Sequence, residues 1–180
     1  MYQNNIEYRI SSRDTSKVDD IIPNDLLREH LVLEDDDSTL LNMYKNAAID
    51  AAEKFMNRAV LPTFIALSTY QKTFRLPYGG TSIESATDEM GNSVDYRMNE
   101  VTKIVTITGD DVVFPVIMMV NCSFEPIPPS IVHGLCMYVA SAYQNRESTV
   151  LGISATEISL NHQAIFKQHR LPNSVGGLRE

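Results

Sequence analysis

LLNMYKNAAIDAAEKFMNRAVLPTFIALSTYQKTF, residues 40–74, changes its period halfway along. The first half sets Leu40, Leu41, Tyr44, Ala47, Ala48, Ala51, Ala52 and Phe55 at spacings of three and four, one stripe of an amphipathic helix. Small alanine side chains in that stripe let another backbone approach closely, so the helix is expected to pack tightly against a partner. Pro62 helps to end it. From Phe64 to Phe74 β-branched and aromatic residues take over, which reads as strand.

Downstream the strand pattern continues to Phe124. Leu76-Pro77-Tyr78-Gly79-Gly80 breaks it, Glu89-Met90-Gly91-Asn92 is a turn signal, and Thr108-Gly109-Asp110-Asp111 is another. Val101–Thr108 and Val112–Phe124 flank this last turn as a hairpin would. A small, mainly antiparallel sheet is expected. Pro126, Pro128, Pro129 and Ser130 then open a second long helix, since proline is tolerated in a first turn. Ile131, Leu135, Tyr138, Val139, Ala142 and Tyr143 form one apolar face, and Val132, Cys136 and Ala140 a second strip. A helix apolar on two sides is buried on two sides.

Upstream, Ile6, Tyr8 and Ile10 alternate with polar residues and predict a short edge strand. Pro23, Asn24 and Asp25 start a short helix, Leu26 to about Leu31. The acidic run Glu34, Asp35, Asp36, Asp37 precedes the first long helix and suits its positive dipole end. The reading is therefore α+β: two long helices, a short N-terminal helix, a small antiparallel sheet and an extended C-terminal tail. It divides the chain into an N-terminal arm (1–23), a body (24–147) and a tail (148–180) with one short helix around Gln163–His169.

The 180 residues carry a net charge of -8, from 15 basic and 23 acidic side chains. Phosphate binding needs clustered Lys and Arg, so a DNA-gripping role is disfavoured. The two cysteines, Cys122 and Cys136, lie in apolar surroundings and read as reduced, buried thiols. Met1–Asp20 is polar throughout, which predicts no signal peptide and cytoplasmic synthesis. No apolar run nears the ~20 residues of a membrane span.

Catalytic patterns are missing. Glu34–Asp37 lacks the glycine turn and distal Glu of a calcium loop. Gly109-Asp110-Asp111 is a short Asp-rich turn, with no further carboxylate or basic cluster to support metal catalysis. His30, His133, His162 and His169 show no HxH or HxxxH spacing. There is no G-x-S-x-G, phosphate loop or G-x-G-x-x-G. A triad assembled in space stays open. The expectation is no enzyme, no metal and no cofactor.

The order of features resembles the head–tail connector (adaptor) family of tailed phages. The resemblance rests on Asp25-Leu26-Leu27-Arg28-Glu29-His30-Leu31 before Glu34–Asp37, and on Ala47-Ala48-Ile49-Asp50-Ala51-Ala52-Glu53-Lys54-Phe55 with Asn57-Arg58-Ala59-Val60. It continues in Leu76-Pro77 before Ser82-Ile83-Glu84-Ser85. Most of all it rests on Pro128-Pro129-Ser130-Ile131 leading to Ala140-Ser141-Ala142-Tyr143-Gln144-Asn145-Arg146-Glu147. It covers about residues 24–147. Family members often carry tryptophan in the strand region, whereas this chain has none.

The resemblance implies a non-enzymatic virion protein at the head–tail junction. It implies a dodecameric ring docked on the portal, with a C-terminal segment that embraces the portal and an opposite face that meets the tail or the next connector. DNA would pass through without specific binding, and no membrane is involved. A ring needs two different faces per subunit. Ala47, Ala48, Ala51, Ala52 and Val132, Cys136, Ala140 are the expected subunit contacts. The expected portal contacts are Ile158, Ile165, Phe166, Lys167, Arg170, Leu171 and Arg179. Glu34, Asp35, Asp36 and Asp37 are expected to face the lumen, where acid repels passing phosphate. The rival readings are another virion ring, such as a tail-terminator or head-completion protein, a small enzyme with an unrecognised site, or a nucleic-acid-binding module.

Overall fold

The computed structural model describes residues 6–31, 38–144 and 161–172. The chain forms two compact units interleaved in sequence. One comprises Met1–Asp14, Asn57–Phe124 and Leu171–Glu180, the other Thr15–Met56 and Glu125–Arg170.

The first is a strand unit. Its described residues form β1 (Ile6–Arg13), β2 (Thr63–Thr69), β3 (Thr73–Arg75), β4 (Gly80–Thr87), β5 (Tyr96–Met98), β6 (Ile104–Ile107) and β7 (Val116–Cys122). They make two antiparallel sheets, ordered β1-β2-β7-β4 and β3-β6-β5. The central pair shows why these segments are strands. Thr63, Ile65, Leu67 and Thr69 of β2 are buried, while Phe64, Ala66 and Ser68 between them are half-exposed. Val116, Met118, Val120 and Cys122 of β7 follow the same period of two. The register sets Ile65 opposite Val120 and Leu67 opposite Met118, so both buried rows lie on one face. Phe74, Val105 and Ile107 of the second sheet share that core with them. A one-residue slip would turn every buried side chain to water, which is why the register is firm. The alternation at Ile6, Tyr8 and Ile10 does produce an edge strand, β1, and a bulge interrupts its pairing between Ile10 and Ser12.

The hairpin expected across Gly109-Asp110-Asp111 does not form. β6 pairs with β3 and β5, whereas β7 pairs with β2 and β4 in the other sheet. Pro115 has no N–H to offer a ladder just where a hairpin partner would start. The apolar row of β7 matches that of β2. The true hairpin joins β5 to β6 through residues 99–103. There the Asn99 Oδ1 accepts hydrogen bonds from the Val101 and Thr102 N–H groups at 3.0 and 2.9 Å. Lys103 takes φ 53°. Val101, expected in a strand, stands on this turn.

The Leu76–Gly80 break is a turn in which Tyr78 and Gly79 both take positive φ and the Gly80 N–H donates to the Pro77 carbonyl at 3.0 Å. Gly80 is required for space: a Cβ there would lie 2.9 Å from both Leu76 Cβ and Val120 Cγ1.

The second is a helical unit. A 3-10 turn (Thr15–Lys17) leads to α1 (Val18–Ile21), α2 (Asn24–Leu31), α3 (Ser38–Met56), α4 (Pro129–Gln144) and α5 (Asn161–Gln168). α3 packs on α4 and α5, and α2 packs on α4. Leu27, Leu41, Ala48, Ile49, Ala52, Met56, Ile131, Leu135 and Val139 are buried. The fold is α+β: the described residues form five α-helices and two antiparallel sheets where one sheet was expected.

Candidate functional site

Chemistry comes first. The Ser130 hydroxyl lies 3.0 Å from His169 Nε2 in an exposed contact. The pair ties the end of α5 to the first turn of α4. His30 and His133, far apart in sequence, meet edge to face at 6.3 Å between ring centres. Among the described residues, His, Cys, Asp and Glu form no group of three or more able to hold a metal ion. Nor is any described helix long and apolar enough to cross a membrane. Both cysteines are free thiols. Burial pushes Cys122 up to about 12 and also raises Cys136, which disfavours the thiolate at both.

The expected contact residues of the helices fall in several places. Ala48, Ala52 and Cys136 are buried within the protomer, Ala51, Val132 and Ala140 are half-buried, and Ala47 is exposed. α4 and α5 of the same chain pack on α3.

Within the expected tail, residues 161–168 form a helix that packs in the helical unit. α5 runs antiparallel along α4: Ser130 meets His169, Gly134 meets Phe166, and Tyr138 meets His162. Contacts advance by four residues on α4 as they recede along α5, the spacing at which side chains share a helix face. Phe166 is 1% exposed. A Cβ on Gly134 would come within 2.8 Å of its ring, so the missing side chain forms the notch that seats it. Phe55 lies 6.5 Å from that ring and Arg170 stands over Phe55 at 5.7 Å. Of the expected portal contacts, Lys167 and Arg170 are exposed and Ile165 and Leu171 are half-buried. Ile158, Arg179 and the acidic residues Glu34–Asp37 lie outside the described residues.

Lys45 carries a polar tie that the sequence did not reveal. Its side chain is fully buried in α3, and its ammonium donates to Asp19 Oδ1 at 2.7 Å and to Asn24 Oδ1. A buried charge needs such partners. Read alone, Lys45 looks like one polar residue on an amphipathic helix.

The strand unit exposes two chemically different ends. At one, β2 finishes beside the start of β7 and the end of β4, because Ser68 pairs with Ile117 and Ile117 with Thr87. Tyr70, Met90, Val113 and Ile117 are exposed there, Met90 by 75%. The Glu89 N–H donates to the Val113 carbonyl at 3.2 Å, which holds the Met90 turn against the Val113 loop. Asp88 builds that turn. Its Oδ1 accepts from the Asn92 N–H at 2.8 Å and its Oδ2 from the Asn92 side-chain amide at 3.0 Å. The side-chain bond from Asn92 is the main cause holding the Asp88 carboxyl below its usual range, with the Asn92, Met90 and Gly91 N–H groups adding to it. Lys72, Glu89, Asp95, Asp110 and Asp111, on the connecting segments, are all exposed.

At the other end, Arg75 closes β3 opposite Ile104, and the Leu76 N–H donates to the Lys103 carbonyl at 3.0 Å. The Lys103 ammonium reaches the Thr81 carbonyl at 3.1 Å and Glu100 at 2.7 Å. Arg58 stacks over Phe124 at 3.7 Å. Burial first, then the nearby charge of Arg75, lowers the Arg58 pKa. A small hollow here is walled by Arg75, Leu76, Pro77, Tyr78, Leu171 and Pro172.

No family model matches the chain. No curated protein matches it in sequence. Solved structures do match in fold. A chain from "Virion of native gene transfer agent (GTA) particle" superposes with a TM-score of 0.67 at 16% identity, covering 94% of this chain and 98% of that one. A chain from "Neck of empty GTA particle computed with C6 symmetry" gives 0.66 at 16% identity, covering 95% and 98%. A chain from "Neck of native GTA particle computed with C12 symmetry" gives 0.65 at 16% identity, covering 98% and 99%. The shared fold spans nearly the whole of both chains in each case.

Proposed function

We propose that this chain is a structural subunit of the neck of a phage-like particle, an adaptor whose copies form a ring on the portal and extend the DNA channel toward the tail. The observation that carries the reading is the end-to-end correspondence of fold with chains of particle and neck structures, one of them computed with C12 symmetry. A fold alone does not specify function, but the order of motifs along residues 24–147 points the same way. The ring is dodecameric, belongs to the virion, and takes no part in catalysis. It needs no cofactor.

Lys167 and Arg170 carry the portal contact in this reading, with Ile165 and Leu171 beside them and Ile158 and Arg179 extending it. Ala47, exposed on α3, leads the helical subunit contacts. Glu34–Asp37 face the lumen and let DNA pass without adhesion. Each portal contact can be weak, because once one subunit docks the rest bind as if intramolecular.

Electron microscopy of the purified protein mixed with its cognate portal tests the proposal. A twelvefold ring seated on the portal is expected. Protein that stays monomeric both alone and with portal overturns it. Removing residues 148–180 is a poor test, since it also takes Phe166 out of the helical core. Charge reversal at Lys167 and Arg170 should abolish docking and spare the fold.

A further inference from the structure

β1 lies at one edge of the four-stranded sheet, with β2 paired along one side of it. Among the described residues, no strand pairs with its other side. β4, at the opposite edge, has side chains of the second sheet on its carbonyls. The Lys103 ammonium donates to the Thr81 carbonyl at 3.1 Å, and the Tyr96 hydroxyl to the Ile83 carbonyl at 3.3 Å. An open edge is a template for another strand, because its N–H and C=O groups keep the spacing of a ladder.

The residues of β1 decide which strand fits. Ile6-Glu7-Tyr8-Arg9-Ile10 has the same apolar pattern read from either end, and its two charges are opposite. Set antiparallel to itself about Tyr8, it puts Glu7 of each copy opposite Arg9 of the other, and Ile6 opposite Ile10. Glu7 and Arg9 share one face of the strand and are both exposed. Ile6, Tyr8 and Ile10 share the face that carries Leu67 and Ile65. Ile6 is 3% exposed, but Ile10 is 49% exposed although it stands opposite buried Ile65. The apolar row of the sheet thus ends with one isoleucine uncovered at the edge. Other registers are penalised. A shift of two residues sets Glu7 against Glu7 or Arg9 against Arg9, and like charges directly opposite repel. A shift of one sets the apolar face of one copy level with the polar face of the other.

We propose that free copies of this chain pair through β1, antiparallel and in the register centred on Tyr8, so that their four-stranded sheets join edge to edge. The contact is isologous and closes at two copies. It is a state of the free protein that covers the β1 edge before assembly, and it stands independently of the ring reading. The bulge between Ile10 and Ser12 ends the regular ladder there, which limits the pairing to Ile6–Ile10 and keeps it reversible.

Sedimentation velocity over a concentration series, without portal, tests the pairing. The wild type should pass from monomer to dimer. Glu7→Arg sets arginine against arginine at both symmetric positions, and Arg9→Glu sets glutamate against glutamate. Each should weaken dimerisation on the order of tenfold. The doubly reversed chain should dimerise as the wild type does. An equimolar mixture of the two single variants should form the mixed dimer, since a strand with two arginines then faces one with two glutamates. Thermal melting of the variants should match the wild type, because both positions are exposed. The register has its own readout: Glu7→Cys protein should cross-link with Arg9→Cys protein on oxidation faster than either does with itself. Wild type that stays monomeric or goes from monomer straight to larger rings overturns the proposal. So do single reversals that dimerise like the wild type, or self cross-linking that outpaces the mixed reaction.

Discussion

The two units of this chain close their cores by different means. The helical unit relies on one large side chain. Phe166 comes from a short helix near the C-terminus and fills the notch left by Gly134 in α4. The strand unit relies on register and turns. β2 and β7 set alternate residues on one buried face, and turns clasped by Asp88 and Asn99 hold the loops between strands. A single docked side chain concentrates stability at one position. A register spreads it over many. The helical unit should therefore be sensitive at a point, and the strand unit tolerant at most single positions outside its tight turns.

The largest effect is expected from Phe166→Ala. Truncating a fully buried phenylalanine costs about 3–5 kcal/mol through lost transfer energy and the cavity it leaves. Chemical denaturation should show that loss, and hydrogen exchange should rise most in α5 and α4. A loss under about 1 kcal/mol would mean that α5 is not a structural part of the core, and the contrast between the units would collapse. Gly80→Ala probes the strand unit at its tightest place. The added methyl meets Leu76 and Val120 at 2.9 Å, and overpacking of this kind costs about 1–3 kcal/mol. Asn99→Ala removes two hydrogen bonds to backbone N–H groups on an exposed turn. It should cost about 1 kcal/mol, with faster exchange confined to residues 99–104. Melting of the whole strand unit by Asn99→Ala would show that its turns, and not its register, carry the fold.

The sequence was legible wherever a local pattern is sufficient. The stripe from Leu40 to Phe55, the proline entry to α4 and the Pro77–Gly80 turn all depend on residues within one or two turns of chain. The pairing of β6 and β7 was misread because a turn signal at Gly109–Asp111 says that the chain bends, not which strand it then meets. That choice was made by the apolar row of β7, which matches β2, some fifty residues upstream in sequence. α5 was read as a short helix in a tail. Its role depends on Gly134, and a glycine inside a helix signals close approach without naming the visitor. Lys45 was invisible for the same reason: Asp19 and Asn24 lie more than twenty residues before it. Of the surface features, the exposure of Met90 and the hollow beside Leu76 became visible only once the strands were in register.

The smallest effect separates the units by pH. His162 of α5 is buried, with the Tyr138 ring of α4 at 5.2 Å and Phe166 at 5.8 Å. Burial lowers its pKa below the ordinary 6.5, because the imidazolium loses its hydration there. The sign follows from linkage. The unfolded chain takes up a proton at His162 as pH falls through about 6.5, while the folded chain still refuses it. The unfolded state then binds more protons, and stability drops as pH falls from that point toward the depressed folded value. Tyr138 is the titratable neighbour in ring contact. Acidification from pH 7.5 to 5.5 should therefore speed amide exchange in α5 and its contacts on α4 more than in β2 and β7. His162→Gln should flatten that difference. Equal acid sensitivity in both units, or a slope that persists in His162→Gln, would place the proton elsewhere and remove this histidine from the account of how the helical unit holds its last helix.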